Sequence, residues 1–163
     1  MESKAVIDIG PVIHLTEIKA ITTLRIFNEI ITPTEVSKEL IRSNIIIPEF
    51  IKIISVNSGN KKLIEILANQ YSLDMGEAEA IALAKQEKME YLLTDDLDAR
   101  IVAKKYSLKV HGTVGILIRA FREGIITKEE TIKKLRELAS ESTLYITKTL
   151  IEQAVRAITN YKN

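Results

Sequence analysis

Short apolar runs alternate with helix-like segments through most of this chain, and that alternation constrains the fold more than any other feature. "KAVIDIG" gives a buried strand over 5–8 that ends on Asp8, and Gly10-Pro11 opens a helix in "VIHLTEI", where Val12, Ile13, Leu15 and Ile18 fall at helical spacing. A second strand centres on Ile30 and Ile31. Thr32, Pro33 and Glu35 then read as an N-cap, a proline at the first helical position and the acid of a capping box, so a helix is expected from Pro33 to about Ile41. "NIIIPEFIKIISV" is Ile-rich but interrupted by Pro48, which fits either an edge strand or an irregular connection. "NKKLIEILANQY" is amphipathic, whereas "LDMGEAEAIALAKQEK" is apolar almost all round between Ala80 and Ala84 and is expected to be a buried helix. "EYLLT" is a strand, "DLDARIVAKKY" a helix, "LKVHG" a strand, and "TVGILIRAFREG" a helix that Gly124 ends. Two further helices follow in "TKEETIKKLRELASES" and "TKTLIEQAVRAITNY". Strands joined by helices through short connections predict an α/β fold with a parallel sheet covered by helices.

At 163 residues the chain fits one domain that can bury roughly 68–70% of its unfolded surface. With 46% hydrophobic and 28% charged residues it lacks the polar bias that keeps a chain disordered. No repeat or linker interrupts it, so 1–163 is expected to be a single domain with 127–163 as a C-terminal helical extension of it. The absence of cysteine excludes disulfides, thiolate zinc sites and a cysteine nucleophile. The apolar run of "MESKAVIDIG" is too short for a signal peptide or a membrane span, and a cytoplasmic protein with no membrane partner is expected. A formal net charge of +1 decides nothing about nucleic acid, for which a local basic face matters.

"YLLTDDLDAR" places three carboxylates, Asp95, Asp96 and Asp98, within four residues. Carboxylates this close repel one another and raise each other's pKa unless a cation, a helix N-terminus or water offsets the charge. In an open parallel sheet, ligands sit outside the C-terminal strand ends where the strand order reverses, so Asp8 and the Asp95-Asp96 pair are expected to face one crevice. Local structure offers competing roles. Asp8 can cap the next helix, and Asp96 can be an N-cap with Asp98 in the first turn, which explains one acid well and three poorly. Glu35 is accounted for by the capping box; Glu39, a turn later, is either a site residue or a solvated surface glutamate. Glu77 and Glu79 flank Ala78 at the start of the Ala-rich helix, and Asp74 with Glu77 forms a second candidate capping box. Which of the two glutamates faces inward is open, but an inward one needs a metal or a basic partner. His14 and His111 lack metal-ligand spacing, and neither a Ser-His-Asp set nor a glycine-rich phosphate loop is present. The donors are therefore all oxygen, which selects Mg²⁺ or Mn²⁺, ions able to activate water and stabilise charge on a phosphodiester.

"VIDIGPVIHL", "TPTEVSKEL", "MGEAEAIALA", "LLTDDLDARIVAKKYSLKVHGTVGIL" and "RAFREGII", in that order from about Ala5 to Ile126, resemble the PIN-domain superfamily, in particular its prokaryotic, VapC-toxin-like branch with GEAEA and DD-x-x-AR motifs. The resemblance implies a three-layer fold with a five-stranded parallel sheet between helices. It also implies a metal-dependent ribonuclease acting on single-stranded RNA, with Asp8, Glu39, Glu77 and Asp96 as catalytic acids that bind Mg²⁺ or Mn²⁺, and Asp95 and Asp98 in reserve as ligands. PIN enzymes commonly carry Ser or Thr two residues after the first acid, where this chain has Gly10, and that departure bears on turnover. Cations that could meet phosphates are Arg42, Arg100, Lys104, Lys105, Arg119 and Arg122, and Arg100 could also pair with a carboxylate and hold it in position. Homodimerisation and, in toxin–antitoxin pairs, a small antitoxin covering the site are further implications. The alternative from the same residues is a PIN-like RNA-binding or partner-binding module without turnover.

Overall fold

The computed structural model describes residues 2–162, which divide into two compact units. Of these, the first comprises residues up to 13 and 27–112, and the second 14–26 and 113–162. In the first unit a five-stranded sheet has the order β3-β2-β1-β4-β5, from β1 (Lys4–Ile7), β2 (Glu29–Pro33), β3 (Ile51–Ile54), β4 (Tyr91–Leu93) and β5 (Lys109–His111). Every neighbouring pair is parallel. The central strand is the first in the chain, and its Ala5, Val6 and Ile7 are fully buried. From β1 the chain builds outward to β2 and β3, then returns to the other side of β1 for β4 and β5. The strand order therefore reverses between β1 and β4, at whose C-terminal ends a ligand crevice is expected.

α1 (Ile9–Glu17) leaves β1 and runs on into the second unit, while α2 (Thr34–Arg42), α3 (Lys61–Tyr71), α4 (Met75–Gln86) and α5 (Leu97–Lys105) belong to the first. The Ala-rich α4 is the centre of the core. Ala78, Ala80, Ile81, Ala82, Leu83 and Ala84 are all buried in a cluster with Val6, Ile31, Leu67, Leu92 and Val102. Small side chains let this helix pack closely against the strands, as its all-round apolarity predicts. The second unit holds a 3₁₀ turn (Ile21–Ile26), α6 (Thr113–Arg122), α7 (Lys128–Glu141) and α8 (Lys148–Thr159). Thr127 and Glu130 close a capping box on α7, and the Thr147 hydroxyl accepts a hydrogen bond from Leu150 N on α8.

One local expectation differs from the structure, and one left open is decided by it. The capping box at Thr32–Glu35 does not form, because Pro33 remains in β2 opposite Ile54 and α2 begins one residue later. Thr32, buried in the sheet, donates its hydroxyl to Ile7 O (2.9 Å), and the N–H of Glu35 is accepted instead by Glu79 Oε2 from α4 (3.1 Å). The Ile-rich stretch with Pro48 resolves into an edge strand that starts only at Ile51, after a turn in which Ile51 N donates to Pro48 O.

Several helices end alike. A residue in the left-handed region follows α2, α4, α5 and α6, namely Asn44 (φ 58°), Lys88 (φ 52°), Ser107 (φ 62°) and Gly124 (φ 74°). The next residue, Ile45, Met89, Leu108 or Ile125, returns its N–H to a carbonyl five residues back. Only α6 uses glycine there, and a residue with a Cβ costs about 1–2 kcal/mol in this conformation. Since Lys88 and Ser107 are exposed, Lys88→Gly and Ser107→Gly should each stabilise the protein by about 0.5–1 kcal/mol after the added unfolded-state entropy. Thermal melts should show a rise of roughly 1–4 °C per substitution.

Candidate functional site

Asp8 is the first residue past β1, yet its N–H still donates to Leu93 O of β4 (2.9 Å). That bond carries the β1–β4 ladder one step further and turns the Asp8 side chain into the protein, where it is 5% exposed. Its Oδ1 accepts the N–H of Ile9 (2.8 Å) and its Oδ2 the hydroxyl of Thr94 (3.0 Å). Thr94, fully buried, in turn accepts the N–H of Asp96 (3.2 Å). The chain Asp96 N–H, Thr94 hydroxyl, Asp8 carboxylate thus ties the ends of the two strands at the switch point.

Asp96 is the N-cap of α5, as its local reading predicts, with Oδ1 accepting Ala99 N (2.8 Å), which leaves Oδ2 for another role. Asp98 is exposed in the first turn of that helix. The Asp74–Glu77 capping box is present too. Glu77 N donates to Asp74 Oδ1 (2.8 Å) and Asp74 N to Glu77 Oε2 (2.9 Å). The open question between Glu77 and Glu79 has a geometric answer: Glu79 caps α2, while Glu77 interacts electrostatically with Asp8 and Asp96. Positions two apart on a helix point about 200° from each other, so only one can serve each role.

Glu39 is half-buried on α2 and reaches the first turn of α4. A Cβ added to Gly76 would lie 3.4 Å from Glu39 Oε1, 3.5 Å from Asp74 Oδ1 and 3.3 Å from Val36 Cγ2. The glycine of "GEAEA" therefore admits Glu39 beside Asp74. Burial lifts Asp8 to a pKa of about 6, and the charges of Asp74 and Glu39 add to this against the opposing bonds from Ile9 and Thr94. Glu77 is pushed up to about 7, again chiefly by burial, with Asp74, Asp96 and Asp8 contributing. Glu39 is raised by burial, by Asp74 and by Glu35, partly offset by Arg42. Asp8, Glu39, Glu77 and Asp96 thus belong to one cluster of mutually opposing charge. Asp74 belongs to it as well, although the sequence offers only its capping role; the missed signal is that an N-cap acid at this edge of the sheet faces the crevice whose helix it caps.

The cations are distributed. Arg42 ion-pairs with Glu35 (3.6 Å), and Arg100 lies half-buried on α5. Arg119 lies on α6 in the second unit, where its Nε donates to Glu123 (2.8 Å). Gly10 faces Asp95: a Cβ at position 10 would meet Asp95 Cβ and Oδ2 at 3.4 Å, so the space where a hydroxyl side chain would begin adjoins that carboxylate.

A family model for the PIN domain matches residues 4–160. The chain belongs to the PIN-domain family. No curated protein matches it. The all-parallel five-stranded sheet with flanking helices is that of the PIN fold, and the family points to a nuclease-type function with divalent metal ions. The donor chemistry of this PIN domain fits such an ion, because every acid in the cluster is a hard oxygen ligand and their mutual repulsion is what a cation would relieve. Among the described residues, no three acidic or histidine side chains already surround a common metal position. Glu77 Oε2 and Asp96 Oδ1 are engaged by backbone N–H groups at the helix starts. Among the described residues no helix is long and apolar enough to cross a membrane.

The raised carboxyls set the pH dependence of stability. A folded-state pKa of about 6 for Asp8, against an ordinary 3.8, means that the folded form holds the proton more tightly than the unfolded chain. Stability is therefore highest below about pH 4 for this group and falls as the pH rises through 6, with Glu77 extending the decline to about 7. In chelator, calorimetry should show that Asp8→Asn stabilises the PIN domain by up to about 2 kcal/mol at pH 8 and by nothing measurable near pH 4.

Proposed function

We propose that this PIN domain is a metal-dependent endoribonuclease acting on single-stranded RNA. The observation that carries the reading is the convergence of Asp8, Glu39 and Glu77, each held above its ordinary pKa, with Asp74 and Asp96 at the reversal point of the sheet. Such a cluster repels a polyanion until cations neutralise it. Asp8, Glu39, Glu77 and Asp96 would hold the metal, with Asp95 and Asp98 as the further acids of the same loop. Bound Mg²⁺ or Mn²⁺ would supply an activated water and charge stabilisation at the scissile phosphate. The protein's own contribution is orientation: Thr94 and the Ile9 N–H fix both oxygens of Asp8, while the Asp74 N–H at the start of α4 and the Ala99 N–H at the start of α5 each hold one oxygen, of Glu77 and of Asp96. Arg100, Arg42 and Arg119 are the cations assigned to RNA phosphates.

The reading extends to a toxin–antitoxin context in the cytoplasm. Met75 and Leu97, the exposed first residues of α4 and α5, stand beside the site acids and offer apolar contact to a small antitoxin protein, and a homodimer is the assembly we assign. A PIN-like binding module without turnover is the second reading, favoured by Gly10, which supplies no hydroxyl beside Asp8.

The deciding measurement uses wild type and Asp96→Asn, purified identically, on one labelled RNA presented single-stranded and as a duplex. Wild type should cut the single strand with Mg²⁺ or Mn²⁺ and stop on chelation, and the variant should be slower by about 10²-fold or more. Equal cleavage by both, or cleavage that survives chelation, would overturn the reading. Mn²⁺ binding without cleavage would favour the binding module.

A further inference from the structure

One helix of the first unit shows solvent an apolar ridge that its own packing does not use. On α5, Leu97 is 70% exposed and Ile101, one turn later, 58%, while Ala99, Val102 and Ala103 on the opposite side are buried. A single exposed apolar residue is ordinary, but two in register make a ridge, and helix propensity gives no reason for a β-branched residue at the second position. Seen down the axis at roughly 100° per residue, Ile101 stands at the middle of the exposed face. Leu97 and Lys104 lie about 40–60° to one side of it, and Lys105 and Asp98 about 40–60° to the other. The ends of the face carry opposite charge, with Asp98 in the first turn and Lys104 and Lys105 in the last, all three exposed. The Lys105 ammonium rests over the Tyr71 ring (4.9 Å), which braces that side chain and leaves it N–H donors for a carboxylate.

We infer that a second copy of this chain covers the ridge, the two α5 helices packing antiparallel about a twofold axis beside Ile101. That operator lays each flank of the helix against the same flank of the other copy with its direction reversed. Asp98, about 4.5 Å before Ile101 along the axis, then faces Lys105 of the partner subunit, about 6 Å beyond it, and Leu97 lies on the stem of the partner's Lys104. Each contact occurs twice. A parallel pairing instead sets Lys105 against the partner's Lys104 and aligns the two helix dipoles, so charge selects the antiparallel one. The inference rests on the homodimer assigned above and names the face that forms it. It also bears on the crevice: because Asp96 caps the start of α5, the partner's Lys104 and Lys105 arrive beside the site acids and supply cations there. Leu97 is shared with the antitoxin contact proposed above, so the two occupants compete for it. A single helix about 13 Å long offers less surface than the roughly 800 Å² per partner of a standard interface, which makes this a weak dimer with a dissociation constant on the order of 10 µM.

Charge reversal tests the register. Sedimentation velocity over a concentration series follows the full chain in chelator, with circular dichroism to confirm that each variant is folded. Wild type should pass from monomer to dimer, and less readily as salt is raised. Ile101→Lys, which sets two ammonium groups at the axis, should weaken association by about tenfold or more, as should Asp98→Lys and Lys105→Glu. Mixed in equal amounts, Asp98→Lys and Lys105→Glu should form a heterodimer about as stable as the wild-type dimer, since the mixture restores an opposite-charge pair at both positions. Misfolded chains would not recover in this way. A wild-type dimer that the three variants leave intact, or variants that fail to recover on mixing, would overturn the inference while the homodimer assignment stands. A wild type that stays monomeric at about tenfold above the expected dissociation constant would overturn both. Neither result bears on the ribonuclease reading, which the cleavage assay decides.

Discussion

The buried carboxylate of Asp8 is the constraint around which the rest of the first unit is arranged. A nearly inaccessible carboxylate is costly to ionise unless donors are aimed at it, and the structure supplies two, the Ile9 N–H and the Thr94 hydroxyl. Thr94 can donate because β4 ends one residue before it, beside the end of β1, and its own oxygen is oriented by the Asp96 N–H. Those two bonds do not restore an ordinary pKa, because burial outweighs them and the charges of Asp74 and Glu39 add to it. The site consequently keeps carboxylates that burial disfavours first and their neighbours' charge second, on a scaffold of parallel strands that cannot spread apart to relax them.

Much of this arrangement is legible in the sequence, for reasons that can be named. The sheet follows from short Ile- and Val-rich runs alternating with helical periodicity, and the burial of α4 follows from its lack of any polar face between Ala80 and Ala84. Asp8 and Asp96 are legible because the end of a parallel strand has a fixed relation to the ligand crevice. Glu39 and Glu77 rest on the family resemblance, since helical spacing cannot say which surface of a helix meets another element. What stays hidden depends on contacts distant in sequence. Nothing near Thr32 reveals that its hydroxyl will be taken by Ile7 O, or that α2 will be capped by Glu79, 44 residues later. Asp74 is hidden differently: its capping role is complete in itself and masks its electrostatic one.

That double use recurs. Asp74, Glu77 and Asp96 each accept from backbone N–H groups at a helix start, so the donors that stabilise α4 and α5 also partly offset the negative charge gathered between them. Helix termini and acidic site are therefore one structure. Loss of Asp74, Glu77 or Asp96 relieves repulsion but also removes an acceptor for a helix-start N–H, a cost that Asp8 and Glu39 do not carry at α4 or α5. This is why Asp8, rather than Asp74 or Asp96, is the position where neutralisation is expected to stabilise.

The central place of β1 in the sheet has a consequence for how the protein emerges from the ribosome. The strand is made first, and it can pair early with β2, but Ala5 waits for Tyr91 and Asp8 for Thr94, 86 residues later. At ordinary rates of synthesis that interval is on the order of ten seconds. Until β4 and the start of α5 have left the exit tunnel, Asp8 has neither its hydroxyl partner nor Asp96 beside it. The nascent chain thus carries β1 with one side unpaired and no assembled acidic crevice, so whatever chemistry the crevice performs begins only once β4 and the start of α5 have emerged.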